Sequence, residues 1–214
     1  PLHAMSLFIQ HLDERITAPP VRLTVKRLAD STQLLQAMLN SLLDISRLEA
    51  GRIRPEWTDF ALRDLLDPLR IELGAMAVEQ GVDLRVHISS LRVRSDMRLL
   101  RRVLQNFLTN AFRYAGRSKV VLGVRRVGDR VRIEVWDQGP GIPENKLQVI
   151  FEEFQRLDSH RTQAEKGLGL GLAIADGLCR VLGHELAVRS WPGIGSVFSV
   201  TVPLARQKNQ TRTK

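Results

Sequence analysis

At Gly51 the hydrophobic pattern of this 214-residue chain changes period. Before it, Val21, Leu28, Leu35 and Leu42 recur every seventh residue, with Val25 and Leu39 four after the first and third of them. That spacing predicts a long helix carrying a coiled-coil-like seam, ended by Gly51 and Pro55. Met5, Phe8, Ile9, Leu12 and Ile16 repeat at helical spacing as well, so residues 1–51 are expected to form a helical hairpin bent at Pro19-Pro20. After Pro55 the apolar residues alternate in Val82-Leu84-Val86-Ile88, in Val131-Ile133-Val135 and in Phe198-Val200-Val202. These are strand patterns, interleaved with helical ones at about 62–80, 98–114 and 169–182. The expected fold class is therefore α+β: a helical hairpin, then a sandwich with helices on one face of a mostly antiparallel sheet.

The expected domains are 1–51, 52–206 and a basic tail, 207–214. In the hairpin the second helix needs about 30 residues, roughly 45 Å at the usual helical rise. The first has fewer than about 20 in which to match it. The hairpin thus reads as shortened at its start, and two copies pairing into a four-helix bundle would bury both seams. A hairpin serving only as a spacer is the plainer alternative.

Composition narrows the rest. An apolar share of 43% is ordinary for a protein with real cores, and no run of about 18 apolar residues is present to span a membrane. No signal peptide is expected in PLHAMSLFIQHLDERI, and no membrane contact from this stretch of chain. The single cysteine, Cys179, excludes an internal disulfide, fits a cytoplasmic location and reads as a packing thiol. The net charge of +9 favours anionic partners, but the basic residues are spread in pairs such as Arg101-Arg102 and Arg125-Arg126. No specific nucleic-acid site is expected. The histidines His11, His87, His160 and His184 are scattered and read as surface or boundary residues, without metal-ligand spacing.

Three stretches carry chemistry. In 167-GLGLGLAIA-175 glycines at every second position open a helix, where unpaired N–H groups and the dipole attract phosphate. Neither the P-loop nor the dinucleotide fingerprint fits the spacing. The glycines instead hinge a polar segment, about 143–166, that reads as a lid. On the helix 97-MRLLRRVLQNFLTNAFRYA-115, capped by Asp96, the residues Asn106, Asn110, Arg113 and Tyr114 share a stripe bordering the apolar arc. An Asn oxygen can complete the shell of a phosphate-bound Mg²⁺, an Arg can meet phosphate, and a Tyr ring can cover a base. Ordinary polar residues at a core boundary would look the same. Finally, in 131-VRIEVWDQGPGIP-143 Asp137 continues the apolar side of a strand, which is costly without a hydrogen-bond partner. An adenine amino group would be one, with Gly139 and Gly141 letting the backbone approach a flat ring; an Asp closing a turn is the alternative.

The order of the motifs is more specific than any one of them. The boxes 106-NFLTNAFRY-114, 137-DQGPG-141, 151-FEEF-154, 167-GLGLG-171 and 195-GSVF-198 together resemble the catalytic domain of sensor histidine kinases. The helices ending 42-LLDISRLEAG-51 resemble that family's dimerisation and phosphotransfer hairpin. The resemblance implies an α/β sandwich of the Bergerat (GHKL) type that binds ATP with Mg²⁺ and acts as an ATP-dependent protein histidine kinase. By it, Asn110 would ligate Mg²⁺ with Asn106 close by, Arg113 would meet the phosphates, and Tyr114 and Ile142 would pack on adenine. Asp137 would bind the adenine amino group, Gly139 and Gly141 would shape its loop, and Ser196 would stand nearby where the family often has Thr. Gly167, Leu168, Gly169, Leu170 and Gly171 would cradle the phosphates, and Phe151 and Phe154 would anchor the lid.

The implied partners are a second copy of the chain and the receiver domain of a response regulator. Pro1 resembles the Pro of the acceptor box, so the acceptor His and the acidic residue beside it are expected upstream of Pro1, leaving none of the five histidines, His3 included, as a catalytic residue. Related ATPases of the same fold carry a Glu where this chain has Asn106, so a kinase is favoured over an ATPase. A nucleotide-sensing dimer serving as an interaction module is the remaining alternative.

Overall fold

The computed structural model describes Leu12, residues 19–155 and residues 169–205. The chain divides into two compact units, 1–51 and 52–214.

In the first unit, α1 runs from Pro19 to Glu49. It starts at the Pro19-Pro20 pair, where proline lacks only an N–H that no helical carbonyl would accept, and the residues before it that would show the expected bend lie outside the described ones. The helix ends where Gly51, with φ of 59°, donates its N–H to the Leu48 carbonyl. Val25, Thr32 and Ile45 are buried, whereas the seven-residue seam of Val21, Leu28, Leu35 and Leu42 is exposed. The first helix of the expected hairpin, apart from Leu12, lies outside the described residues.

The second unit is an α+β sandwich. Its elements are β1 (Thr58–Ala61), α2 (Leu62–Glu79), β2 (Asp83–Val86), β3 (Arg92–Ser95), α3 (Met97–Ala115), β4 (Lys119–Val127), β5 (Arg130–Asp137), α4 (Gly171–Val181), β6 (Glu185–Trp191) and β7 (Gly195–Pro203). Five strands form a sheet in the order β2-β4-β5-β7-β6. Only the β2–β4 pair is parallel, because the chain returns between them through α3. The strands β1 and β3 form a small antiparallel sheet of their own, and a bridge from Val93 to Leu204 ties it to the end of β7.

The period-two pattern divides the large sheet into two faces. Val131, Ile133 and Val135 on β5 and Phe198, Val200 and Val202 on β7 are buried against the helices. Opposite them Leu100, Val103, Leu104, Phe107, Leu108 and Ala111 line the inner arc of α3, and Phe107 meets Phe198 with ring centroids 5.7 Å apart. On the other face Trp136 lies parallel to Trp191 with the Arg189 guanidinium above both rings.

One carboxylate sets the entry of α3. Asp96 Oδ1 accepts from the N–H groups of Arg98 and Leu99, at 2.9 and 3.1 Å, while Oδ2 accepts from Glu56 N at 2.8 Å. The N-cap therefore also fastens the segment leading into β1. His184, read from sequence as a surface or boundary residue, is buried instead, its Nε2 2.8 Å from the Ser95 hydroxyl and Trp57 set edge-on to the ring. Burial, with Arg130 nearby, holds its pKa down at about 4, so the ring is neutral in the folded protein at ordinary pH. Cys179 is buried as expected, and burial pushes its thiol up to about 12.

Candidate nucleotide-binding site

The polar stripe of α3 opens into a cavity of about 350 Å³. Its first wall is that helix, with Asn106, Asn110, Arg113 and Tyr114 facing the space. The second is the end of the sheet, where Asp137 closes β5 and Ser196 opens β7 as its direct cross-strand partner. The third is the loop with Gly141 and Ile142, and the fourth is the start of α4 with Gly169 and Gly171. Stretches more than sixty residues apart in sequence thus meet around one space.

Each wall is held by local chemistry. Gly139 does not face the cavity; it lies behind it, its N–H donating to Asp137 Oδ1 at 2.8 Å. Burial raises the Asp137 pKa, and the backbone N–H groups of Gly139 and Ser196 pull it the other way. Gly141 has φ of 71°, and a Cβ there would overlap the Trp191 carbonyl, so only glycine lets the loop lie on the β6–β7 turn. Gly169 has φ of 72°, and a Cβ would stand 2.7 Å from the Gln155 carbonyl oxygen. Backbone packs on backbone at that point, bringing residues 154–155 to the start of α4.

The helix α4 begins with no side-chain cap, and its first internal hydrogen bond is donated by Ile174 to the Leu170 carbonyl. The N–H groups of its first turn thus have no helical acceptor beside the cavity. Across from them the amide nitrogen of Asn106 is buried without a hydrogen-bond partner, and Asn106 Oδ1 lies 3.3 Å from where a Cβ on Gly171 would be. An uncapped helix start, with an unpaired amide donor on the residue beside it, fits an oxygen-rich anion.

The structure also corrects several expectations. Leu170 has its side chain in the core and does not face the cavity. Gly167 and Leu168 lie outside the described residues, as does His160. Of the segment expected as a lid, the described part includes the short 3₁₀ turns Glu144–Lys146 and Val149–Phe151 and the buried Ile150, and 156–166 lie outside the described residues. Phe154, expected to anchor the lid, is exposed and adopts a left-handed φ of 62°. Sequence reading missed Lys146 and Thr109, which face the cavity, and no motif marked them. Among the described residues no cluster of three His, Cys, Asp or Glu could hold a metal ion. Asp137 is the one carboxylate among the described residues that line the cavity.

Residues 95–206, just over half of the chain, match the family of histidine kinase-, DNA gyrase B- and HSP90-like ATPases, and the chain belongs to it. Within that family its second unit is a catalytic domain of the sensor histidine kinase kind. Over 184 residues it is 33% identical to the circadian input-output histidine kinase CikA of Synechococcus elongatus, covering 84% of this chain and 24% of that protein. Over 185 residues it is 34% identical to the sensor protein KdpD of Mycobacterium tuberculosis, covering 85% of this chain and 21% of the other. Full-length ShkA, solved in complex with AMPPNP, superposes with a TM-score of 0.74 at 27% identity, over 95% of this chain and 45% of that one. The chain thus spans less than a quarter of the length of these curated relatives. Among the described residues no helix is long and apolar enough to cross a membrane.

Proposed function

We propose that this chain is the kinase core of a two-component sensor, which binds Mg²⁺-ATP and delivers the γ-phosphoryl to a histidine for relay to a response-regulator aspartate. The observation that carries the reading is the chemistry of the cavity wall. Amides, Asn106 and Asn110, stand beside the uncapped start of α4, and the lining carboxylate Asp137 sits on another wall, at the end of the sheet. An amide cannot take a proton from water, so the described wall offers no general base for hydrolysis at the phosphate end. The phosphoryl group is left for an acceptor brought in from elsewhere.

The residues suit the nucleotide. Asn110 offers one oxygen ligand, which matches Mg²⁺ held mainly by phosphates and water. The ion supplies charge neutralisation on the phosphates when bound. Arg113 and Lys146 add positive charge, Tyr114 and Ile142 offer apolar faces to a ring, and Asp137 accepts from an amino group. ATP binding is supported by the family and, among structural relatives, by the ShkA complex with AMPPNP. The exposed seam of α1 supports pairing with a second copy, and a receiver domain is the proposed recipient of the phosphoryl group.

Calorimetry and labelling test the reading together. Asn110→Ala is expected to weaken Mg²⁺-ATP binding by tenfold or more, on the order of 1.4 kcal/mol or above, with the melting curve of the second unit unchanged. With γ-labelled ATP and Mg²⁺, residues 1–214 by themselves are expected to stay unlabelled, while a separately supplied phosphoacceptor hairpin carrying a histidine is expected to gain acid-labile, base-stable phosphate. Rapid release of inorganic phosphate by the chain alone, or its robust labelling lost in His3→Ala, would overturn the proposal.

A further inference from the structure

Ser190 does not line the cavity, yet it sits where three parts of the nucleotide site meet. It lies on β6 as the cross-strand partner of Ser196. Its Oγ accepts from the N–H of Ile142 at 2.7 Å, lies 2.8 Å from Ser196 Oγ, and lies 3.1 Å from the Gly195 carbonyl oxygen. One hydroxyl therefore joins the base-facing loop, the β6–β7 turn and the cavity-lining serine.

Counting protons fixes the direction of these bonds. A serine hydroxyl has one hydrogen and two lone pairs. The Gly195 carbonyl can only accept, so the Ser190 hydrogen goes there. Ile142 N–H fills one lone pair of Ser190 and Ser196 O–H fills the other. This is the one arrangement that satisfies all three contacts. Ser196 has then spent its hydrogen on Ser190 and turns only lone pairs toward the cavity.

We propose that Ser190 is a positioning residue that makes the base-reading wall a hydrogen-bond acceptor, by holding the Ser196 proton away from the nucleotide. Beside it the Asp137 carboxylate is also an acceptor, so the wall presents acceptors from both strands. Such a wall favours a base edge with an amino group and repels one with a carbonyl oxygen at the same place. Adenine and hypoxanthine differ there in this way, amino against oxo. Without the Ser190 oxygen, Ser196 is free to turn and donate, and the penalty against a carbonyl shrinks. The inference rests on the adenine reading of the cavity and deepens it.

The test is calorimetric binding of ADP and of inosine diphosphate, with Mg²⁺, to the whole chain. Wild type is expected to prefer ADP. Ser190→Ala is expected to lose about tenfold of that preference, chiefly by gaining affinity for inosine diphosphate, the size set by one mismatched polar contact. Ser190→Thr keeps the hydroxyl and is expected to restore the preference. In a Ser196→Ala background Ser190→Ala is expected to change the preference no further, which a merely structural role would not produce. That cycle also serves if Ser190→Ala melts early, because the ratio of two nucleotides is read on the folded fraction. A wild type that does not distinguish the two nucleotides overturns the adenine reading and this inference together. A wild type that does, with Ser190→Ala keeping the full preference or losing both nucleotides equally, overturns this inference alone.

Discussion

The helix α1 and the helix α3 are both amphipathic, yet they meet opposite fates. On α3 every residue of the apolar arc is buried: Leu100, Val103, Leu104 and Phe107 are fully enclosed. On α1 the seam residues Leu28, Leu35 and Leu42 are about half exposed, at 51, 46 and 47%. The difference lies in period. The arc of α3 follows the irregular spacing that suits a twisted sheet, with a second, polar stripe left for the cavity. The seam of α1 repeats every seven residues, which suits another helix of the same kind. The second unit encloses its core, whereas the described part of the first leaves its seam exposed.

The comparison breaks most severely at Phe107. Phe107→Ala removes a fully buried ring from between α3 and β7, a loss on the order of 3–5 kcal/mol. Thermal or urea unfolding of the second unit should show it, with far-ultraviolet helicity of the first unit retained. Equal loss in both units would mean that they do not fold separately.

Next in size is His184. Its folded pKa of about 4 lies below the ordinary 6.5, so the unfolded chain binds a proton that the folded one refuses. The stability this contributes is complete above pH 6.5 and is lost as pH falls from 6.5 through about 4, up to about 3 kcal/mol. His184→Gln keeps a polar partner for Ser95 without titrating. Melting temperatures across that window should fall more steeply for the wild type than for the variant.

Smaller again is the seam. Leu35→Asp puts a charge where a second copy would bury an aliphatic side chain, and should weaken self-association by about two orders of magnitude, roughly 2–3 kcal/mol. Sedimentation at several concentrations measures it, and nucleotide affinity of the second unit should be untouched. An unchanged association constant would show that the seam is not the pairing surface.

The residues legible in the sequence were those whose local period and chemistry agree. Asp96 was readable as a cap because its neighbours supply the pattern a cap needs, and the four stripe residues of α3 were readable because helical geometry alone puts them on one side. The strands β2, β5 and β7 announced themselves by alternation. The strands β1, β3, β4 and β6 did not: two are four residues long, and β4 reads Lys119-Val-Val-Leu-Gly-Val-Arg-Arg-Val127 without alternation. Long-range contacts were out of reach. No local signal says that His184 meets Ser95, that Ser190 holds Ser196, or that Lys146 turns toward Asn110's cavity. The polarity of about 143–166 suggests a lid, and polarity alone does not reveal the two 3₁₀ turns and the buried Ile150 in its first part.

The smallest effect separates function from folding within the second unit itself. Burial holds the Asp137 pKa above 3.8, which means that the ionised carboxylate is a cost to the fold and a gain only if something donates to it. Asp137→Asn removes the charge, so the melting temperature should stay level or rise at neutral pH, where the wild type must bury a carboxylate. ATP and ADP should bind about tenfold more weakly, because a charge-assisted bond from an amino group becomes a neutral one. In the wild type, affinity should fall as pH is lowered through the raised pKa and the carboxylate takes up a proton, and in the variant that part of the pH dependence should be absent. Calorimetry at a series of pH values, paired with melting curves, measures both signs on the same protein. A variant that loses stability and affinity in parallel would show that Asp137 holds the wall together instead of reading the base.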